Sequence, residues 1–119
     1  MEDFLIREID RLGEMLRMIA GKLGLMESDV QDYSMTAVEE VFAKSDLPFD
    51  LDTVLQHQNP VWYLVETVKI SDRGLETFID ILFHSDLDEE LKTALLDDAL
   101  AYLDGKGYFS FKLHSLSES

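Results

Sequence analysis

The stretch that decides the fold covers residues 4–26 and reads "FLIREIDRLGEMLRMIAGKLGLM". Apolar residues recur in it at alternating intervals of four and three, which predicts one long amphipathic helix over about residues 3–24. The main apolar stripe of this helix contains Leu5, Ile9, Leu12, Leu16, Ile19 and Leu23. Further apolar residues flank the stripe on both sides, so the helix must pack against more than one neighbour.

One flank of the stripe is built from small residues. Gly13 and Ala20 lie seven positions apart, on the same side of the helix. A glycine in a helix interior costs about 1 kcal/mol relative to alanine, so Gly13 needs a compensating gain. We therefore predict that another backbone approaches the helix closely on this side.

The other flank carries larger apolar residues, namely Phe4, Met15 and Met18. Two interpretations are open: the flank is buried by its own domain, or it contacts a second copy of the chain. In the second case Glu8 and Arg11 form ion pairs at the rim of the contact. The predicted interface then consists of Phe4, Glu8, Arg11, Met15 and Met18.

Length and composition are those of a single-domain globular protein. The chain has 119 residues, 46% of them apolar, which suits one helical domain over residues 1–119. It has no cysteine, so disulfide bonds and thiolate chemistry are excluded. The first three residues lack the basic region of a secretory signal, and no apolar run is long enough to span a bilayer. We expect a cytoplasmic protein, and a bacterial source would fit.

The charge of the chain is strongly acidic and unevenly distributed. Lysine and arginine number 10 against 25 aspartates and glutamates, for a net charge of −15. This charge repels phosphate backbones and anionic membranes, so we predict neither nucleic acid nor membrane as a partner. Residues 1–22 carry a net charge of only −1. The acidic remainder either keeps the protein soluble or steers a basic partner toward it.

The rest of the chain also reads as helical, with capping and turn residues between apolar segments. Asn59-Pro60 is a strong helix start, because asparagine caps the helix and proline suits its first position. The predicted elements are a helix from Ser28 or Asp29 to about Lys44, a short turn at about Asp50–Gln56, helices over about Val61–Ile70, Leu75–His84 and Glu89–Asp104, and a last short helix capped by Ser110.

Three further expectations concern the last segment, the C-terminus and the helix that follows Pro60. Phe109, Phe111 and Leu113 alternate, so a strand is the alternative to the last helix. Residues 115–119 are expected to fray. Trp62 and Tyr63 directly follow the proline, and we expect one of them to face inward and the other outward.

Together the segments predict an all-α fold of about six helices in antiparallel hairpins, as a tetratricopeptide-like array or a compact bundle. Three stretches, "DFLIREIDRLGEMLRMIAGKL", "FDLDTVLQHQNP" and "ALLDDALAYLDGKGYFSF", resemble an uncharacterised bacterial helical family. That family is classed as a domain of unknown function and often described as tetratricopeptide-like. The resemblance rests on apolar pattern and length, and it implies an all-helical scaffold without an enzymatic activity to carry over.

No motif for catalysis or metal binding stands out. The three histidines, His57, His84 and His114, lack the spacing of a helical metal pair. We predict no catalytic, cofactor-binding or metal-binding residue and no cofactor. The weaker patterns for an enzyme or a metal site are His84 with Asp86 or Asp88, a calcium loop at Asp46, Asp50 and Asp52, and an acid–base pair from Glu39-Glu40 and Glu66 with a histidine.

A cluster of aromatic residues marks the C-terminal region, at Tyr102, Tyr108, Phe109 and Phe111. These residues either pack the last helix pair or line a groove for a partner. We predict a non-enzymatic protein-interaction or scaffold module that self-associates through its first helix. The alternatives are a small metal-dependent or hydrolytic enzyme and a small-molecule binder that uses a pocket between helices.

Overall fold

The computed structural model describes residues 10–25 and 33–118, and these ranges form an all-α fold. Within them the chain forms seven helices and no strand, which confirms the predicted fold class of about six helices. The helices are α1 (Arg11–Lys22), α2 (Met35–Ala43), α3 (Leu51–Gln56), α4 (Pro60–Tyr63, continued by a π-helical turn, Leu64–Val68), α5 (Asp72–Phe83), α6 (Glu89–Gly105) and α7 (Phe111–Ser117).

Side-chain caps fix where most of these helices begin. Each of five capping residues accepts a hydrogen bond from a backbone N–H three residues later, at 3.0–3.3 Å. The caps are Ser34, Asn59, Ser71, Asp88 and Ser110. The cap at Ser110 decides between the two predictions for the last segment, because it starts helix α7 where a strand was the alternative. Helix α7 reaches Ser117, inside the segment expected to fray.

The predicted start of the second helix is wrong. Helix α2 begins at Met35, and not at Ser28 or Asp29, which lie outside the described residues. The chain just before Met35 is held by the end of α5: the Tyr33 N–H donates to the His84 carbonyl at 3.2 Å, and the Tyr33 hydroxyl donates to the Ile81 carbonyl at 2.7 Å. These tertiary bonds replace helical ones, so the helix starts later than local pattern indicates.

The centre of the fold is α5, which is buried on nearly all sides. Helices α1, α6 and α7 pack around it. Its buried residues are Gly74, Leu75, Phe78, Ile79, Asp80, Ile81 and Leu82. The Phe78 ring meets Phe42 and Phe49 edge to face, with centroids 6.1 and 6.0 Å apart.

Helix α1 crosses α5 where two glycines face each other. A Cβ atom added to Gly74 would lie 3.5 Å from the Cα of Gly13. This confirms the close backbone approach predicted at Gly13. Beside the crossing, the Ser71 hydroxyl donates to Asp10 Oδ1 at 2.9 Å, which ties the start of α1 to the start of α5.

The packed helices form a compact body with a radius of gyration of 13.8 Å, close to the roughly 13–14 Å expected for a folded chain of this length. None of the helices in the described ranges is both long and apolar enough to cross a bilayer.

Candidate functional site

The predicted interface flank of α1 is partly exposed. Leu16, Ile19 and Ala20 are buried on the inner side of the helix, while Met15 is half-buried and Met18 is 65% exposed. Arg11 is exposed on the same helix. The remaining two members of the predicted interface, at positions 4 and 8, lie outside the described residues.

A groove of about 480 Å³ adjoins this flank. Its apolar walls come from Leu12 and Met15 of α1, the loop between α2 and α3, and Val68, with Arg11 and Lys69 as its cations. Lys69 has a left-handed backbone conformation with φ of 65°, which closes α4 and turns the chain toward α5. The volume falls in the range of about 300–1,000 Å³ that is typical of small-molecule sites, so a small-molecule binder stays a prediction.

The structure separates the four C-terminal aromatic residues into two pairs. Phe109 and Phe111 are 65% and 77% exposed, and their rings meet edge to face with centroids 6.0 Å apart. Phe109 also stacks on His114 at 4.6 Å. These two phenylalanines therefore form a surface patch. Tyr102 and Tyr108, by contrast, are half-buried against the core.

The half-buried pair of tyrosines lies in a polar network between α5 and the C-terminal segment. The Lys106 ammonium donates to Asp72 at 2.9 Å and lies 3.5 Å from the Tyr102 hydroxyl. These contacts raise the pKa of Lys106. Burial, followed by the negative charge of Glu76, raises the pKa of Tyr108. The Ser110 hydroxyl also donates to Glu76.

Asp80 continues the same network and is the one buried carboxylate among the described residues. Its Oδ1 lies 3.3 Å from His84 Nδ1, and its Oδ2 lies 3.4 Å from the Lys112 ammonium of α7. Asp72, Glu76 and Asp80 are spaced by four residues along α5, so they share one side of the helix. We call these three residues the acidic ladder; its partners are Lys106, Ser110 and Lys112.

Three of the five carboxylates in the weaker metal-site patterns have structural partners. Asp86 accepts the Met35 N–H at 2.8 Å, and Asp88 caps α6. Asp50 precedes α3 and accepts a hydrogen bond from Thr53 at 3.3 Å. In the described parts of the chain, no three histidine or acidic side chains converge as a metal site would require.

A further groove, of about 220 Å³, lies between α4 and α6. Trp62, which is 57% exposed, lines it together with Tyr102, Glu66 and Asp98. The sequence indicated that one of Trp62 and Tyr63 faces outward, and the structure shows that this residue is Trp62. The sequence does not indicate that α4 packs beside α6, because α5 separates these two helices in the chain.

Comparison of the chain with protein-family models, with curated proteins and with solved structures finds no match. The resemblance to a bacterial helical family therefore stays a prediction.

Proposed function

We propose that this protein is an interaction module that self-associates through the Met15–Met18 flank of α1. The observation that carries the proposal is the exposure of Met18, at 65%, beside a half-buried Met15. The opposite side of the same helix is already buried against α5. Met15 also lines the adjoining groove, so the exposed apolar surface continues beyond Met18, and contiguous apolar surface marks protein–protein contacts.

The charge of α1 differs from that of the whole chain. Two copies with a net charge of −15 each repel one another at most contact geometries. Residues 11–22 carry Arg11, Arg17 and Lys22 against Glu14, a net charge of +2, so a contact between two α1 helices brings together segments that are not acidic.

The size of a stable contact indicates that more than α1 takes part. A standard interface buries about 800 Å² per partner. The apolar walls of the adjoining groove, which include Leu12, Leu47 and Val68, extend the flank toward such an area. In an isologous dimer the same flank and groove are presented by both copies, so Met18 of each copy can pack against the partner.

The test is absolute molar mass by light scattering across a dilution series, on the native chain and on Met18→Asp. We expect a dimer for the native chain and a monomer for the variant, because a carboxylate buried in an apolar contact loses its hydration without a partner. Far-UV circular dichroism should show unchanged helicity. The double variant Met15→Asp with Met18→Asp should give the same result.

Phe111→Asp is the matched control, because Phe111 is 77% exposed and lies on α7, outside the proposed contact. It should leave the dimer intact. The proposal is wrong if the native chain is monomeric at every concentration, or if Phe111→Asp dissociates the dimer and Met18→Asp does not.

A further inference from the structure

The groove between α4 and α6 combines aromatic and acidic side chains. Trp62 and the half-buried Tyr102 supply ring surface, and Val65 adds an apolar wall. Glu66 and Asp98 are exposed carboxylates at the same groove. No lysine or arginine lines it among the described residues. Aromatic faces and carboxylates both attract cations, so the groove is built for a positively charged group.

One of the two rings at the groove already contacts a cation. The Lys106 ammonium lies 5.4 Å from the centroid of the Tyr102 ring, within the range of a cation–π contact. Asp72 holds that ammonium at 2.9 Å. The carboxylates of Glu66 and Asp98 form no ion pair with a lysine or arginine of the described residues, so their charge is available to a ligand.

The size of the groove limits what it can hold. Small-molecule sites occupy about 300–1,000 Å³, and this groove has about 220 Å³. That volume suits a single long side chain of a protein partner better than a complete cofactor or metabolite. Arginine fits the lining better than lysine, because its flat guanidinium stacks on aromatic rings and donates to two carboxylates at once.

The backbone of α4 places two of these residues at the groove. Its last turn, Leu64–Val68, is π-helical, a wide turn that is often found at functional sites. Val65 and Glu66 both belong to that turn. The irregular turn therefore lies directly beneath the groove.

We propose that the groove between α4 and α6 binds an arginine side chain presented by a basic segment of a protein partner. The guanidinium stacks on Trp62 and pairs with Glu66 and Asp98. The net charge of −15 accelerates the approach of such a segment over a longer range.

Trp62 is the only tryptophan in the chain, so its fluorescence reports on the groove alone. The probe is the peptide acetyl-Gly-Arg-Gly-amide, titrated against the native protein. Its control is the same peptide with neutral citrulline in place of arginine. We expect a saturable change in Trp62 emission with a dissociation constant of about 1 mM for the arginine peptide, and at least about fivefold weaker binding of the citrulline peptide.

Two double variants with the same change in charge separate a specific site from general attraction. Glu66→Gln with Asp98→Asn should weaken binding about tenfold, because it removes both carboxylates of the groove. Glu90→Gln with Asp97→Asn removes one glutamate and one aspartate from the exposed side of α6, outside the groove, and should change binding by less than about twofold.

Both variant pairs alter exposed residues, and circular dichroism checks that each retains the native helicity. The inference is overturned if no saturable change occurs, if citrulline binds as well as arginine, or if the two double variants weaken binding equally. It does not depend on self-association: Met18→Asp should leave the arginine titration unchanged, so failure of one proposal leaves the other standing.

Discussion

At the scale of single residues, the first turn of α5 leaves no room for a side chain at Gly74. A Cβ atom there would lie 2.9 Å from Ile70 Cγ1 and 3.1 Å from Ser71 Oγ. Ile70 is itself buried, and Ser71 is fixed by its hydrogen bonds to Asp10 and to the Gly74 N–H, so neither can easily move away.

We therefore expect Gly74→Ala to lower the free energy of unfolding by up to about 2 kcal/mol. Overpacking costs about 1–3 kcal/mol, and the better helix propensity of alanine returns about 1 kcal/mol of that. Gly21→Ala is the control, because a Cβ atom at Gly21 of α1 meets nothing within 4 Å. It should raise the same free energy by up to about 1 kcal/mol. Denaturant unfolding measures both, and a gain for Gly74→Ala would show that Ile70 and Ser71 can give way to a methyl group.

The predictions for single residues that the structure confirms depend on hydrogen bonds between residues close together in the chain. The caps at Asn59 and Ser110 act on N–H groups three residues away, so the sequence shows both partners at once. The hydrogen bond from Tyr33 to the Ile81 carbonyl joins residues 48 positions apart, so no local sequence pattern indicates it. The sequence therefore predicts a start for α2 that is too early.

At the scale of helices, polar contacts attach the C-terminal segment to α5 along the acidic ladder. Lys106 donates to Asp72, Ser110 to Glu76, and Lys112 lies 3.4 Å from Asp80. Leu113 is fully buried in the same packing. The docking of α7 therefore combines apolar burial with charge, and its strength should depend on pH.

Alkaline conditions should loosen this segment. The raised pKa of Lys106 means that folding favours its charged form, and this stabilisation is present below about pH 10.5 and lost as the pH rises through the higher folded value. The raised pKa of Tyr108 means that folding favours the neutral phenol, so ionisation above about pH 10 also opposes folding. Deprotonation of Lys106 and ionisation of Tyr108 therefore both lower the free energy of unfolding at alkaline pH.

We expect the free energy of unfolding, measured by denaturant, to fall as the pH rises above about 10, and to fall less steeply in Tyr108→Phe. Tyr63→Phe makes the same chemical change at a half-buried position on α4 and should retain the native slope. Equal slopes for Tyr108→Phe and the native chain would show that the phenol of Tyr108 does not couple to folding.

The sequence predicts most of the helices, but it does not show which helix lies at the centre of the fold. The sequence predicts α4, α6 and α7 from a capping residue in each and α5 from its apolar side, but it predicts only a short turn at α3. The apolar pattern predicts that the opening helix is the one that packs against several neighbours. The structure instead places α5 at the centre, since its second side is made of residues such as Asp80 and Ile81 that a single apolar stripe does not reveal.

At the scale of the whole molecule, the two proposed sites differ in how far the sequence could reveal them. The Met15–Met18 flank follows from helical periodicity within one element, so it was predictable. The aromatic and acidic groove needs Trp62 and Glu66 of α4 beside Asp98 and Tyr102 of α6. Those pairs are more than 30 positions apart in sequence, and only the packing of the helices brings them together.

The net charge of −15 should affect the two sites in opposite directions when salt is added. Self-association brings together two molecules of the same charge, so screening removes repulsion and should tighten the dimer. Binding of the arginine peptide brings together opposite charges, so screening should weaken it.

Light scattering and Trp62 fluorescence, each carried out at about 0.02 M and about 0.5 M sodium chloride, measure the two responses on the same preparation. We expect the dimer dissociation constant to decrease about threefold or more and the peptide dissociation constant to increase by a similar factor. A dimer that dissociates in salt would mean that opposite charges hold the copies together, and the Met15–Met18 flank would then not be the main contact. Peptide binding that resists salt would mean that ring stacking on Trp62 outweighs the pairing with Glu66 and Asp98.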